Sequence, residues 1–168
     1  MKIGNKDKFA FDIAENMEGG LRVVDIIIAN RSICCDDNSV YVPQYIESLN
    51  TTLEELSKND YTKHSICLEN KSYEEIHRFI ESTRDEDSNN YNIENDELYY
   101  IYRFMDWGPT TDNISSFLFP FNEKWVLTYE FWRKEHKNKE EIEVVNSIEV
   151  NTEELISTIR EAIRELEK

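Results

Sequence analysis

Two periods of apolar residues run along the chain, and each predicts a different kind of element. Apolar side chains occupy every second position over 9–13, whereas residues 21–29 are nearly continuous in apolar side chains. Alternation is typical of a strand with one buried face, and a continuous run is typical of a strand inside a sheet. With a turn at 18–20, these segments predict a hairpin, followed by a short strand at 32–35. Asp25 within the second strand predicts a buried carboxylate with a partner.

Helical spacing predicts three amphipathic helices. Apolar residues recur three and four positions apart over 43–58, 72–84 and 151–166. Ser72 and Glu75 have the spacing of a capping box, in which each side chain binds the other residue's backbone N–H. The second helix is therefore predicted to begin directly after Ser72.

Four further strands are predicted between the second and the last helix, at 99–105, 115–121, 125–133 and 142–150. Because short turns join them, they describe an antiparallel meander. The fold class predicted is α+β: a largely antiparallel sheet with helices packed on one face. We expect a single domain over 1–168.

The strand at 125–133 presents two different faces. Trp125, Leu127, Tyr129 and Phe131 alternate with more polar residues and are predicted to face the core. The opposite face then carries an aromatic side chain beside a carboxylate, which is either a packed edge or a contact site for a partner. The two residues of that candidate site are Glu130 and Trp132.

Residues 85–97 form the densest acidic segment, with six carboxylates and no basic residue. A solvated loop is the simplest interpretation, and an acidic contact surface with Tyr91 as its aromatic residue is the functional one. The two interpretations are compatible.

The charge of the whole chain excludes several functions. The formal net charge is −16 over 168 residues, and it is spread through the sequence, with −5 over 1–60, −5 over 61–105 and −6 over 106–168. Nucleic acids and anionic membranes repel such a protein, so neither is an expected partner. No secretory signal or membrane span is recognisable, which predicts a cytosolic protein. A cationic protein is the complementary partner.

Neither a metal centre nor a catalytic site is expected from the sequence. The possible zinc ligands lack the paired spacing of a zinc site. The three cysteines are better interpreted as reduced, small apolar residues. These candidate ligands are Cys34, Cys35, Cys67 and His64. His77, beside an apolar helical stripe, is predicted to be structural. Phosphate-binding and nucleophile motifs are missing, and acidic pairs are too common here to indicate an enzyme. We therefore expect no cofactor.

Two motifs carry a family resemblance. Residues 106–112 read DWGPTTD, and residues 129–133 read YEFWR. With the opening KIGNKDKFAF, the segment YVPQYIESL and the closing NTEELISTIREAIREL, they resemble family 42 of the immunity proteins of bacterial polymorphic toxin systems, which include contact-dependent inhibition. The resemblance runs through nearly the whole chain, except for 85–97.

The resemblance implies a small cytosolic protein, usually encoded beside a toxin, that binds the toxin's C-terminal domain and blocks it. Many such toxins are nucleases, whose positive clefts suit an acidic inhibitor. The alternatives are an acidic adaptor module without a toxin and a carboxylate-dependent hydrolase. Trp107 is either a binding anchor or packing over its own turn. The predicted toxin-binding residues are Asp85, Glu86, Asp87, Tyr91, Glu94, Asp96, Glu97, Trp107, Glu130 and Trp132.

Overall fold

The strands lie in two antiparallel sheets in the structure, a computed structural model that describes residues 1–15, 18–34, 37–63, 65–91 and 96–168. The first sheet has the order β1-β2-β3-β4, and β5 pairs with the other end of β3. The second has the order β6-β7-β8. The strands are β1 (Lys2–Asn5), β2 (Phe9–Ile13), β3 (Leu21–Ile28), β4 (Arg31–Ser32), β5 (Ser39–Tyr41), β6 (Ile114–Phe121), β7 (Lys124–Phe131) and β8 (Asn146–Val150).

The predicted first hairpin is confirmed. β2 pairs with β3 from Phe9 opposite Ile28 to Ile13 opposite Val24. Because β3 also pairs with β4 and β5, its nearly continuous apolar run lies inside the sheet, as predicted. Asp25 is half-buried rather than buried, and it has the predicted partner, since its Oδ1 accepts a hydrogen bond of 2.9 Å from Asn38 Nδ2.

Of the single strand predicted at 32–35, only Ser32 lies in a strand, at the end of β4, and the next strand, β5, begins at Ser39. Positive φ at Ala29 and Asn30 makes the tight turn from β3 into β4. Cys35 and His64 lie outside the described residues.

Three of the four α-helices described agree with the periodicity. They are α1 (Val42–Lys58), α2 (Tyr73–Ser82) and α4 (Thr152–Leu166), while α3 (Asp96–Tyr102) was not predicted. The capping box of α2 is present in full: the Ser72 hydroxyl accepts from Glu75 N–H, and Glu75 accepts from Ser72 N–H. Asn151 caps α4 through the N–H groups of Glu153 and Glu154.

The strand predicted at 99–105 is wrong, because the chain there forms α3 and the residues that follow it. Leu98, Ile101 and Tyr102 recur at helical spacing, and all three are buried against α2. The aromatic and β-branched content of this segment resembles that of a strand, which misled the prediction. Arg103 alone keeps a bridge to the second sheet, opposite Phe117.

Both faces of the second sheet are buried, by different partners. Leu127, Tyr129 and Phe131 enter a core shared with the first sheet, α1 and α4. Val126 faces a second core built with α2 and α3. The predicted α+β class is therefore confirmed, and the predicted inward set of β7 is buried except for half-buried Trp125. The opposite face of β7 is covered by α2, and this decides the environment of Glu130.

Candidate protein-binding surface

Three consecutive exposed carboxylates follow the C-terminal end of α2, and we call Asp85, Glu86 and Asp87 the acidic turn. The Asp85 side chain accepts a 3.0 Å hydrogen bond from Asp87 N–H, and its carbonyl accepts one of 2.9 Å from Ser88 N–H. No ion pair among the described residues involves these carboxylates. Among the described residues, their negative charge is therefore presented to solvent without a neutralising partner.

Arg84 connects the acidic turn to α3. Its Cζ atom lies 4.7 Å from the centre of the Tyr99 ring and 5.3 Å from the centre of the Tyr100 ring. A guanidinium over an aromatic face is attracted by the ring quadrupole. This contact holds the residue that precedes the acidic turn against α3.

Two tyrosines supply exposed aromatic surface near these carboxylates. Tyr91 is 39% exposed, and Tyr100 is 48% exposed. Tyr91 N–H donates to the Ser88 carbonyl, and Asn90 Nδ2 donates to Ser82 Oγ, which ties the segment to the end of α2. We call the acidic turn together with Tyr91 and Tyr100 the acidic surface. Tyr100 was missed because its segment was predicted to be a strand, although the helical spacing of its buried neighbours points it outward.

The remaining carboxylates of the predicted segment differ from the acidic turn. Glu97 is exposed on α3, but both of its carboxylate oxygens accept a 2.7 Å hydrogen bond from Lys63 Nζ. Glu94 lies outside the described residues, and of Asp96 only the backbone at the start of α3 is described. Glu97 thus contributes less free charge than the acidic turn does.

The segments DWGPTTD and YEFWR approach each other at the open end of the β6–β7 hairpin. Trp132 N–H donates to the Asn113 carbonyl, and Arg133 Nη2 lies 3.8 Å from Asp112 Oδ2. Trp132 is 51% exposed, with the Arg133 guanidinium 5.5 Å from its ring. No hydrogen bond, ion pair or ring contact given for the described residues joins Trp132 to the acidic surface, so the structure does not bring the predicted site residues into one cluster.

Two predicted contact residues are not at the surface. Trp107 is 1% exposed in the first core, where its ring packs among other aromatic residues, so packing is the correct one of its two interpretations. Glu130 is 3% exposed beneath α2 and pairs with Arg78. It belongs to a packed face rather than to a contact site, because α2 covers that side of β7.

Burial shifts the protonation of two groups under α2 in opposite senses. Desolvation, helped by the nearby Glu81 carboxylate and opposed by Arg78, raises the pKa of Glu130 to about 7. Desolvation, together with the Arg78 charge, lowers the pKa of His77 to about 3. Both groups are therefore driven toward their neutral forms. His77 is buried, and its Nδ1 lies 2.9 Å from Thr128 Oγ1.

These shifts predict a pH-dependent effect of Glu130→Gln on stability. The folded state keeps the Glu130 proton between pH 4.5 and about 7, where the unfolded state has lost it, so this group's contribution declines as pH rises. Relative to the wild type, the free energy of unfolding of Glu130→Gln should therefore rise with pH in this window, by up to about 1.4 kcal/mol per unit. Urea unfolding at several pH values, in buffer without divalent metal ions, measures it.

His77→Gln is the matched comparison, with the opposite sign. The unfolded state gains a proton below pH 6.5 that the folded His77 does not accept, so the contribution of His77 declines as pH falls toward 3. The free energy of unfolding of His77→Gln, relative to wild type, should therefore rise as pH falls. Both variants lose contacts at every pH, so only the slopes are compared. Parallel curves for all three proteins would contradict the assignment.

The fold as a whole is similar to that of a solved protein. The crystal structure of CdiI from Burkholderia dolosa AUO158 matches with a TM-score of 0.63, covering 98% of this chain and 99% of that chain at 15% sequence identity. No protein-family model matches the chain, and no curated protein matches it significantly. Among the helices that the structure describes, none is both long and apolar enough to cross a bilayer. The comparison thus defines a shared fold over the full length of both chains.

Proposed function

We propose that this protein is an immunity protein of the contact-dependent inhibition type, which binds the C-terminal domain of a cognate toxin and neutralises it. The observation that carries the proposal is the CdiI-like fold, which spans 98% of this chain and 99% of the other. The DWGPTTD and YEFWR motifs support it independently, and membership of immunity family 42 rests on those motifs. Such a protein acts in the cytosol of the cell it protects.

Charge supports a basic toxin domain as the partner, and a nuclease is the proposed kind. A nuclease cleft is positive because it must hold phosphates, and this protein carries a formal net charge of −16. Opposite potentials raise the association rate, while a few desolvated aromatic side chains supply affinity. The acidic surface combines both features, with three exposed carboxylates next to two exposed tyrosines. Trp132 is a second candidate anchor.

Inhibition by occupancy is proposed rather than catalysis. One protein molecule would cover one toxin domain, so protection should scale with the ratio of the two proteins. An adaptor module without a toxin would give no protection, and a hydrolase would protect at far below one molecule per toxin.

Co-expression tests the proposal directly. The C-terminal domain encoded by the neighbouring reading frame is induced in bacteria with and without this protein, and viable cells are counted. We expect growth arrest by the domain alone and full growth when both are present, with a 1:1 complex on size-exclusion chromatography. A harmless domain, or equal killing in the presence of the protein, would exclude the immunity function. An unrelated toxin of similar charge serves as the specificity control.

A further inference from the structure

A cluster of three potential metal ligands lies between α2 and β7. His77 and Glu81 are one helical turn apart on α2, and Glu130 faces them from β7. One ligand atom from each residue lies within 4.8 Å of the ligand atoms of the other two. The sequence offers only the His77–Glu81 spacing as a signal, because Glu130 is brought in by the packing of the helix on the sheet.

The hydrogen bonds of His77 leave one ring nitrogen as a buried electron-pair donor. Thr128 Oγ1 lies 2.9 Å from His77 Nδ1 and 3.4 Å from the Phe117 carbonyl. A Thr128 hydroxyl that donates to this carbonyl accepts from Nδ1–H, and in that tautomer Nε2 keeps its lone pair. Nε2 is fully buried and has no hydrogen-bond partner in the described structure. A second-shell bond of this kind to Nδ1 is the usual arrangement of a metal-binding histidine.

We propose that His77, Glu81 and Glu130 form a binding site for a divalent transition-metal ion, for which Zn²⁺ is the best match. An imidazole nitrogen and two carboxylate oxygens are ligands that Zn²⁺ accepts, with water in the fourth position. Bonds of about 2.1 Å in tetrahedral geometry place ligand atoms about 3.4 Å apart. The observed separations, up to 4.8 Å, need side-chain movements of about 1 Å to close around an ion.

Arg78 is the competitor for this site. Its Nη1 contacts the Glu130 carboxylate and lies 3.5 Å from Glu81 Oε2, so its guanidinium already supplies a positive charge there. The Arg78 side chain is partly exposed, and its Nη2 also donates to the Glu143 carbonyl, so turning the guanidinium outward to solvent would break this hydrogen bond as well. With a neutral His77 and both carboxylates ionised, the site sums to −1 with the guanidinium and to zero with Zn²⁺. Because burial favours the protonated form of Glu130, the ion must displace the Glu130 proton as well as the guanidinium.

Metal binding is tested on the full-length protein after removal of metal ions with a chelator. Zn²⁺ is titrated against a chromophoric indicator, and Co²⁺ is used as a spectroscopic probe, since tetrahedral coordination gives strong visible absorption. We expect one site per chain, with Glu81→Gln weakening binding at least tenfold and removing the Co²⁺ absorption. Glu81 is only half-buried, so this variant should fold. Glu74→Gln, an exposed carboxylate on the same helix, should bind like the wild type.

Arg78→Met supplies a result that a purely structural cluster would not give. Removing the competing guanidinium while keeping the aliphatic stem should tighten Zn²⁺ binding at least tenfold. The proposal is overturned if the wild type binds no Zn²⁺ at 100-micromolar concentrations, if Glu81→Gln and wild type bind alike, or if Arg78→Met does not tighten binding. It is also overturned if the binding is lost in His136→Gln instead, because His136 pairs with Glu141 elsewhere.

Discussion

Replacing Trp107 with alanine is expected to lower the free energy of unfolding by about 3–5 kcal/mol, the range for removing a large buried aromatic side chain. Four aromatic rings surround the indole, with centroids 5.5 to 6.4 Å away, and α1 provides its hydrogen-bond acceptor, Thr52 Oγ1 at 2.8 Å. Thr52 keeps its own bond to the Ser48 carbonyl, so the cost arises chiefly from the cavity. The surrounding rings are Phe9, Phe11, Tyr45 and Phe104.

Trp132→Ala is the matched control, since it removes the same side chain from a site that is 51% exposed. Its effect on the free energy of unfolding should stay within about 0.5 kcal/mol, as is usual for surface substitutions. Urea unfolding followed by far-ultraviolet circular dichroism measures both variants. If the free energy of unfolding falls equally in the two variants, Trp107 is not the centre of the first core.

Elements whose local signals agree with their final environment were predictable from the sequence. The capping box at Ser72 and the helical spacing of α1, α2 and α4 all depend on residues a few positions apart. The β2–β3 hairpin likewise joins neighbouring segments, and the apolar run of β3 matched its central position. In these cases a local pattern and the tertiary packing demand the same structure.

The prediction failed where a long-range contact decided the outcome. Period-2 alternation in β7 showed which residues share a face, but it carries no information about what covers that face. Because α2 packs there, Glu130 is buried and pairs with Arg78, so the packed edge is the correct one of the two alternatives for Glu130, although it was included among the toxin-binding residues. The prediction of a strand at 99–105 was wrong for a related reason. Seven residues are too few for the periodicity to distinguish a short aromatic helix from a strand.

The candidate site was predictable in part. The acidic turn and Tyr91 are exposed, as the density of polar residues in their segment suggested. Tyr100 joins them only because α3 is a helix, and Glu97 is neutralised by a lysine 34 positions earlier in the chain. Charge density along the sequence therefore located the acidic surface, but it could not separate paired carboxylates from unpaired ones.

If the protein has the proposed immunity function, reversing the charge of the acidic turn should slow association with the toxin at least tenfold at low salt. The variant carries Asp85→Lys, Glu86→Lys and Asp87→Lys, which replaces three exposed negative charges with positive ones. Electrostatic steering changes association rates by about 10 to 10³-fold, and salt screens it over a Debye length of about 10 Å at 0.1 M. Stopped-flow association kinetics at several salt concentrations measure the effect, and circular dichroism checks the fold.

A matched variant distinguishes a local contact from a general effect of net charge. Glu154→Lys, Glu161→Lys and Glu167→Lys reverse three exposed carboxylates of α4 and its C-cap, which changes the net charge equally. If total charge alone steers the toxin, both triple variants will slow association to the same extent, and the acidic turn is not part of the interface. If the toxin docks at the acidic surface, the first variant will be much the slower, because the Coulomb energy between charges rises as their separation falls. Dissociation should also become faster in that variant alone, because only a charge that touches the toxin loses a stabilising contact in the complex when it is reversed.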